Sequence, residues 1–203
     1  MKRVEFYFDL VSPYSYLAQT RMDRIRDETG AEFVLRPMLL GGVHKLSGNH
    51  APIETPLKGS YQLKDIHRWA ERYGAPMSFP DPFPFRTVTT MRAAVFLDEQ
   101  GELEDFAREA FKLYWEEGGA PDGLRADETG PVSEVARRIG REPKEILEAA
   151  SEPGMKQKLK ELTEHAVERG VFGAPAFFVG DEMFWGNDRL HFVEAALERD
   201  PAS

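Results

Sequence analysis

The sequence predicts an α/β fold in which one four-stranded sheet is assembled from the two ends of the chain around a large helical insertion. Three observations predict it. Segments of β character lie near the ends: residues 4–9 and 32–39 at one, 172–179 and 182–185 at the other. The first two frame a strand–helix–strand unit, and the last two are separated by the two-residue turn Gly180-Asp181. Between them, the spacing of apolar residues is helical almost throughout.

The first strand reads VEFYFD, short, aromatic and β-branched as a buried strand should be. Ser12-Pro13 then marks a helix start, serine at the N-cap and proline at the first helical position. Leu17, Ala18, Met22 and Ile25 continue an apolar face and Gly30 closes it, so one helix is expected over 13–29. With the second strand at 32–39 this is a βαβ unit, and its crossover is right-handed. Residues 41–56, with Gly41, Gly42, Gly48, Pro52 and Pro56, read as irregular. A helix with Leu63, Ile66, Ala70 and Tyr73 follows, then a stiff extended loop carrying Pro76, Pro80, Pro82 and Pro84. From 88 to 170, Leu103, Phe106, Ala107, Ala110, Phe111 and Tyr114 give the cleanest helical stripe. Val135, Ala136 and Ile139 give a second, and Met155, Leu159, Leu162 and Ala166 a third. Breakers at Gly118-Gly119, Pro121, Gly130-Pro131, Gly140, Pro143 and Pro153 separate them. After the hairpin, Leu190, Val193 and Leu197 define one face of a last helix. The expected division is 1–54 with 166–203 as the sheet domain and 55–165 as an inserted all-helical domain.

Composition narrows the function. The 203 residues carry 26 basic and 35 acidic side chains, a net charge of -9, which disfavours non-specific nucleic-acid binding. No apolar run reaches the ~18–20 residues of a membrane span. The basic start is interrupted by Glu5 and Asp9, unlike a signal peptide, so a cytoplasmic location is expected. Cysteine is absent, which excludes disulfides, thiolate metal sites and a cysteine nucleophile. Any sulfur chemistry must use a thiol brought from outside. His44, His50, His67, His165 and His191 show no metal-ligand spacing, and there is no phosphate-loop or dinucleotide fingerprint; no metal is expected.

Ser12 is the first candidate site residue. At the opening turn of a helix that follows a buried strand, it sits among free N–H groups in the positive end of the helix dipole, where an anion such as a thiolate is stabilised. Taken alone, a Ser-Pro pair more often only caps its helix. Pro175, in Gly173-Ala174-Pro175, suits either a strand-initiating trans proline or a cis bond that turns the backbone of Ala174 toward a ligand. Asn187-Asp188 reads as a cap, or as an acidic site for an ammonium group. Asn49 and Lys58 alone read as a turn asparagine and a solvated lysine.

Taken together, these segments carry a resemblance. The strand–helix–strand, helical block, hairpin–helix plan resembles the DsbA-type thioredoxin fold, with Ser12-Pro13-Tyr14-Ser15 where that fold has Cys-x-x-Cys. Residues 6–18, Phe172-Gly173-Ala174-Pro175 and Trp185-Gly186-Asn187-Asp188-Arg189-Leu190 closely resemble the 2-hydroxychromene-2-carboxylate isomerases, relatives of the kappa-class glutathione transferases. Gly48-Asn49 and Arg68-Trp69-Ala70-Glu71 extend the similarity over nearly the whole chain.

The resemblance implies glutathione as cofactor, a homodimer, and a cis Ala174–Pro175 bond facing Ser12. It implies that Ser12 faces the glutathione sulfur and that the Ala174 backbone pairs with the cysteinyl part. Trp185, Gly186, Asn187 and Asp188 would surround the γ-glutamyl end, Asn49 would lie near the thiol, and Lys58 would reach the glycyl carboxylate. The substrate half matches less well. His44, with Lys45 beside it, stands where the naphthalene-pathway isomerases have a substrate-binding lysine; their Asn-Arg pair has no match in 51–55, and Phe83 replaces a pocket tyrosine. The implied reaction is reversible addition of a glutathione thiolate to a small aromatic or conjugated carbonyl substrate, rotation about the resulting single bond, and departure of the thiolate. A kappa-like transferase or peroxidase, and a non-catalytic glutathione-binding module, are the alternatives.

Overall fold

The two middle strands of the sheet come from opposite ends of the chain. In the computed structural model, which describes residues 2–119 and 129–199, the strands are β1 (Arg3–Phe8), β2 (Glu32–Pro37), β3 (Ala176–Val179) and β4 (Glu182–Trp185). Their order is β2-β1-β3-β4. β1 runs parallel to β2, in register Phe6 to Leu35, and antiparallel to β3, in register Phe6 to Phe177. The hairpin pairs Val179 with Glu182, so Gly180 and Asp181 alone form its turn.

Alternation along β1 sends Val4, Phe6 and Phe8 to one face and Glu5 and Tyr7 to the other. On the first face Phe6 stacks on Phe177 at 5.1 Å, and Phe8 meets Phe111 of the helical block at 5.7 Å. Fully buried side chains of sheet and helices thus share one core. On the second face Tyr7, Met38, Val43, Ala176 and Phe178 form a smaller cluster. There the Arg169 guanidinium lies 3.9 Å from the Phe178 ring and donates to Glu5 Oε1 and the Tyr7 hydroxyl. Its neighbours supply both the ring face and the counter-charge that a half-buried guanidinium needs.

The helices are α1 (Pro13–Gln19), α2 (Met22–Thr29), α3 (Leu40–Ser47), α4 (Pro56–Tyr73), α5 (Val88–Glu99), α6 (Leu103–Trp115), α7 (Thr129–Arg138), α8 (Pro143–Ser151), α9 (Pro153–Glu168) and α10 (Leu190–Arg199). Three features differ from the sequence expectation. The single helix expected over 13–29 is broken at Thr20-Arg21, where the Thr20 hydroxyl donates back to Leu17 O at 2.7 Å and the Arg21 N–H to Ala18 O at 3.0 Å. Such back-bonding bends helices. The stretch expected to be irregular contains α3, because Gly42 serves close packing: a Cβ there would lie 3.0 Å from the Thr163 methyl of α9. Gly130-Pro131 falls within the first turn of α7 rather than ahead of it, and Pro121 lies outside the described residues.

Candidate active site

The site is built where the C-terminal end of β1 turns into α1. Ser12 has extended backbone and is 3% exposed. Its Oγ accepts the Ser15 N–H at 3.1 Å, so it does cap the helix. The same hydroxyl donates to Ala174 O at 3.1 Å, across 162 residues of sequence. Capping and facing the proline loop are therefore one arrangement. The Ala174–Pro175 bond is cis, as expected, and Pro175 O is held by the Gly186 N–H at 3.0 Å. The expected proline-rich loop also has cis bonds at Asp81–Pro82 and Phe83–Pro84.

Asp9 is a residue that sequence reasoning passed over. It is 1% exposed, and its carboxylate accepts from Val11 N at 3.1 Å, Leu40 N at 2.7 Å and the Thr87 hydroxyl at 2.8 Å. Its own carbonyl accepts the Ser12 N–H at 3.0 Å. One carboxylate thus fixes the start of α1 against α3 and α5. The only sequence signal was an acidic residue between an aromatic strand and a helix start.

The expected binding residues surround this junction unequally. Asn49 Nδ2 donates to Phe172 O at 2.8 Å and its Oδ1 accepts the His50 N–H at 2.9 Å, so Asn49 holds the segment leading into Gly173. A Cβ on Gly173 would lie 2.6 Å from Trp185 Nε1, so glycine there lets the indole lie over the loop. That indole also packs 4.9 Å from the Phe172 ring, and Trp185 remains 44% exposed. Gly186 has φ 99, which few L side chains adopt, and a Cβ would run into the Asp188 carboxylate. Asp188 pairs with Arg189. Asn187 is 2% exposed; its carbonyl accepts the Tyr73 hydroxyl at 3.0 Å, while its Nδ2 has no acceptor. The turn Asn187–Arg189 packs against α1, where the buried Ser15 hydroxyl also lacks a partner.

Lys58 is exposed in the first turn of α4 and has no acidic partner among the described residues. That helix is tied to the site by the Tyr14 hydroxyl, which donates to Asp65 at 2.9 Å; burial, then Asp65, pushes the phenol well above its usual range. Phe83 sits edge-on to Trp115 at 5.6 Å, and the Trp115 indole N–H donates to Leu10 O at 2.8 Å, two residues ahead of Ser12. His44 and Lys45 are divided by the turn of α3. His44 is half-buried within the field of Glu54 and His50, and burial lowers its pKa. Lys45 instead lines a cavity against α9. Among the described residues there is no group of three or more His, Asp or Glu able to hold a metal. No helix among the described residues is long and apolar enough to cross a membrane.

The junction thus presents a hydroxyl at a helix start, a backbone edge before a proline and a buried amide without an acceptor. The family model described as a DSBA-like thioredoxin domain matches residues 3–198, which defines the class of the chain. The 2-hydroxychromene-2-carboxylate isomerase of Sphingobium xenophagum is 32% identical over 97% of this chain and 98% of that protein. A solved 2-hydroxychromene-2-carboxylate isomerase superposes with a TM-score of 0.85, at 31% identity, covering 97% of this chain and 95% of the other. Kappa 1 glutathione S-transferase of Rattus norvegicus is 30% identical over 96% of this chain and 90% of its own length. The chain belongs to the 2-hydroxychromene-2-carboxylate isomerase family and is an enzyme of that isomerase type, with the kappa-class transferases as relatives.

Proposed function

We propose that the chain is a glutathione-dependent isomerase acting on a substrate of the 2-hydroxychromene-2-carboxylate type, a small conjugated aromatic carbonyl compound. The observation that carries this reading is the Ser12–Ala174 contact, which brings a buried hydroxyl, a helix start and the cis-proline loop to one point in a chain without cysteine. Bound glutathione supplies a thiol able to add to and leave a conjugated carbonyl. Ser12 turns its proton from Ala174 O to the sulfur, and the N-terminus of α1 adds its partial positive charge. The Ala174 backbone pairs with the cysteinyl amide. Asp188 takes the γ-glutamyl ammonium, the Asn187 amide and the Trp185-Gly186 turn enclose that end, and Lys58 meets the glycyl carboxylate. Asn49 keeps the proline loop in place. Phe83 and His44 are assigned to the substrate side, whereas Lys45, which lines the cavity against α9, is left out of it. Burial disfavours the charged form of His44, which suits it to a hydrogen-bonding role on the substrate side.

A homodimer in the cytoplasm completes the proposal. The likeness to kappa-class transferases favours one second reading, conjugation in place of isomerisation. The test is turnover of 2-hydroxychromene-2-carboxylate with glutathione at less than one equivalent. Full conversion with glutathione recovered supports the isomerase; conversion that stops when glutathione is consumed supports the transferase. Undiminished turnover with no thiol present overturns both.

A further inference from the structure

A cavity of about 410 Å³ opens between α3, α5 and α9. Leu39, Val88 and Leu159 give it an apolar wall, and Lys45, Arg92 and Lys156 reach it from three different helices. Its size lies in the range of small-molecule sites, ~300–1,000 Å³. The charges around it are unusual for this chain. Acidic residues outnumber basic ones 35 to 26, and Arg26, Arg138 and Arg141 each hold a carboxylate. Lys45, Arg92 and Lys156 have no acidic partner among the described residues, and Arg92 Nε is shut off from solvent with no acceptor at all. Glu164 also lines the cavity, but its carboxylate is taken by Lys160 at 2.8 Å.

An apolar chamber ringed by unneutralised cations fits an anion with an apolar body. We propose that this cavity binds an amphipathic monocarboxylate, its aromatic or aliphatic body against Leu39, Val88 and Leu159 and its carboxylate between Arg92 and Lys156. The site is separate from the glutathione site and does not depend on the reading above. Ser12, Ala174 and the 185–188 turn take no part in its lining.

The test is calorimetric titration of the full chain with 1-naphthoate, with and without saturating S-methylglutathione. Saturable binding tighter than ~1 mM, unchanged by S-methylglutathione, is expected. Lys156→Glu, an exposed substitution that leaves the fold intact, should weaken naphthoate at least ~10-fold, as should Arg92→Gln, with the S-methylglutathione affinity unaltered. The neutral analogue 1-naphthalenemethanol should bind at least ~10-fold more weakly than the acid. The proposal fails if naphthoate does not saturate, competes with S-methylglutathione, binds Lys156→Glu as it binds the parent, or is matched by the alcohol.

Discussion

Ser12→Ala removes two interactions at once, and their separate magnitudes make it informative. The Ser15 N–H loses its cap acceptor at 3.1 Å, a change that costs about 1 kcal/mol. The Ala174 carbonyl loses its donor at 3.1 Å, about 1 kcal/mol more. At ~2–4 °C per kcal/mol for a chain of this size, the melting temperature should fall by ~4–8 °C. If the hydroxyl also serves the bound thiol, removing a hydrogen bond to a charged group adds ~1.5–3 kcal/mol against the thiolate. The bound thiol's pKa should then rise by ~1–2 units. Activity at neutral pH should fall at least ~10-fold and partly return as pH rises, since each ~1.36 kcal/mol on a barrier is a factor of ten. Ser15→Ala is the control. Its hydroxyl is buried without a partner, so removing it breaks no bond and should leave stability unchanged or slightly higher. Thiolate absorbance titrated against pH in the parent and both variants decides the matter. Equal thiol pKa values in the parent and Ser12→Ala would refute the reasoning and leave Ser12 a helix cap.

Gly173→Ala should displace the Trp185 indole, lowering glutathione affinity ~10-fold or more by calorimetry, as a Cβ at 2.6 Å from Nε1 cannot be accommodated in place. Asp9→Asn presents a donor where Leu40 N–H, Val11 N–H and the Thr87 hydroxyl all need an acceptor, so urea unfolding should report a loss of ~1–3 kcal/mol. Glu104 is held below the usual carboxylate range first by its hydrogen bonds to Arg26, which join α2 to α6. Its stabilisation is therefore full above the unfolded carboxylate pKa and lost as pH falls through the lower folded value. Glu104→Gln should flatten that acid limb, less so at high salt because the pair is partly exposed. Sedimentation at micromolar concentration should show a two-fold dimer, and a species of 23.1 kDa alone would count against it.

Much of the fold was legible because it rests on local signals. Strand character confined to the chain ends, the Ser12-Pro13 cap and the Gly180-Asp181 turn each fix an element within a few residues. What escaped was set by tertiary contact. The glycines of α3 read as a loop, yet Gly42 exists for the approach of Thr163, more than a hundred residues away. The break at Thr20 leaves no trace in apolar spacing, because a side chain bonding its own backbone causes it. In the site, motif residues could be named, but not their state. Sequence could not say that Ser12 caps and donates together, or that Asn49 is spent on Phe172 O. The division of His44 from Lys45 and the placement of Asp9 are likewise matters of orientation.

The pairing of β1 with β3 also governs how the chain emerges from a ribosome. Phe6 aligns with Phe177, so β1 waits for β3, made well over a hundred residues later. At ~5–20 residues per second, that wait lasts ~10–35 s, during which β1 has only β2 for a neighbour. The helices between are rich in local contacts and can form meanwhile, in microseconds to milliseconds. For that interval the nascent chain carries folded helices beside an open, aromatic strand edge, the form of surface that chaperones shield. The Ser12–Ala174 junction closes in the same step as the sheet, so a chain not yet translated through β3 lacks that contact.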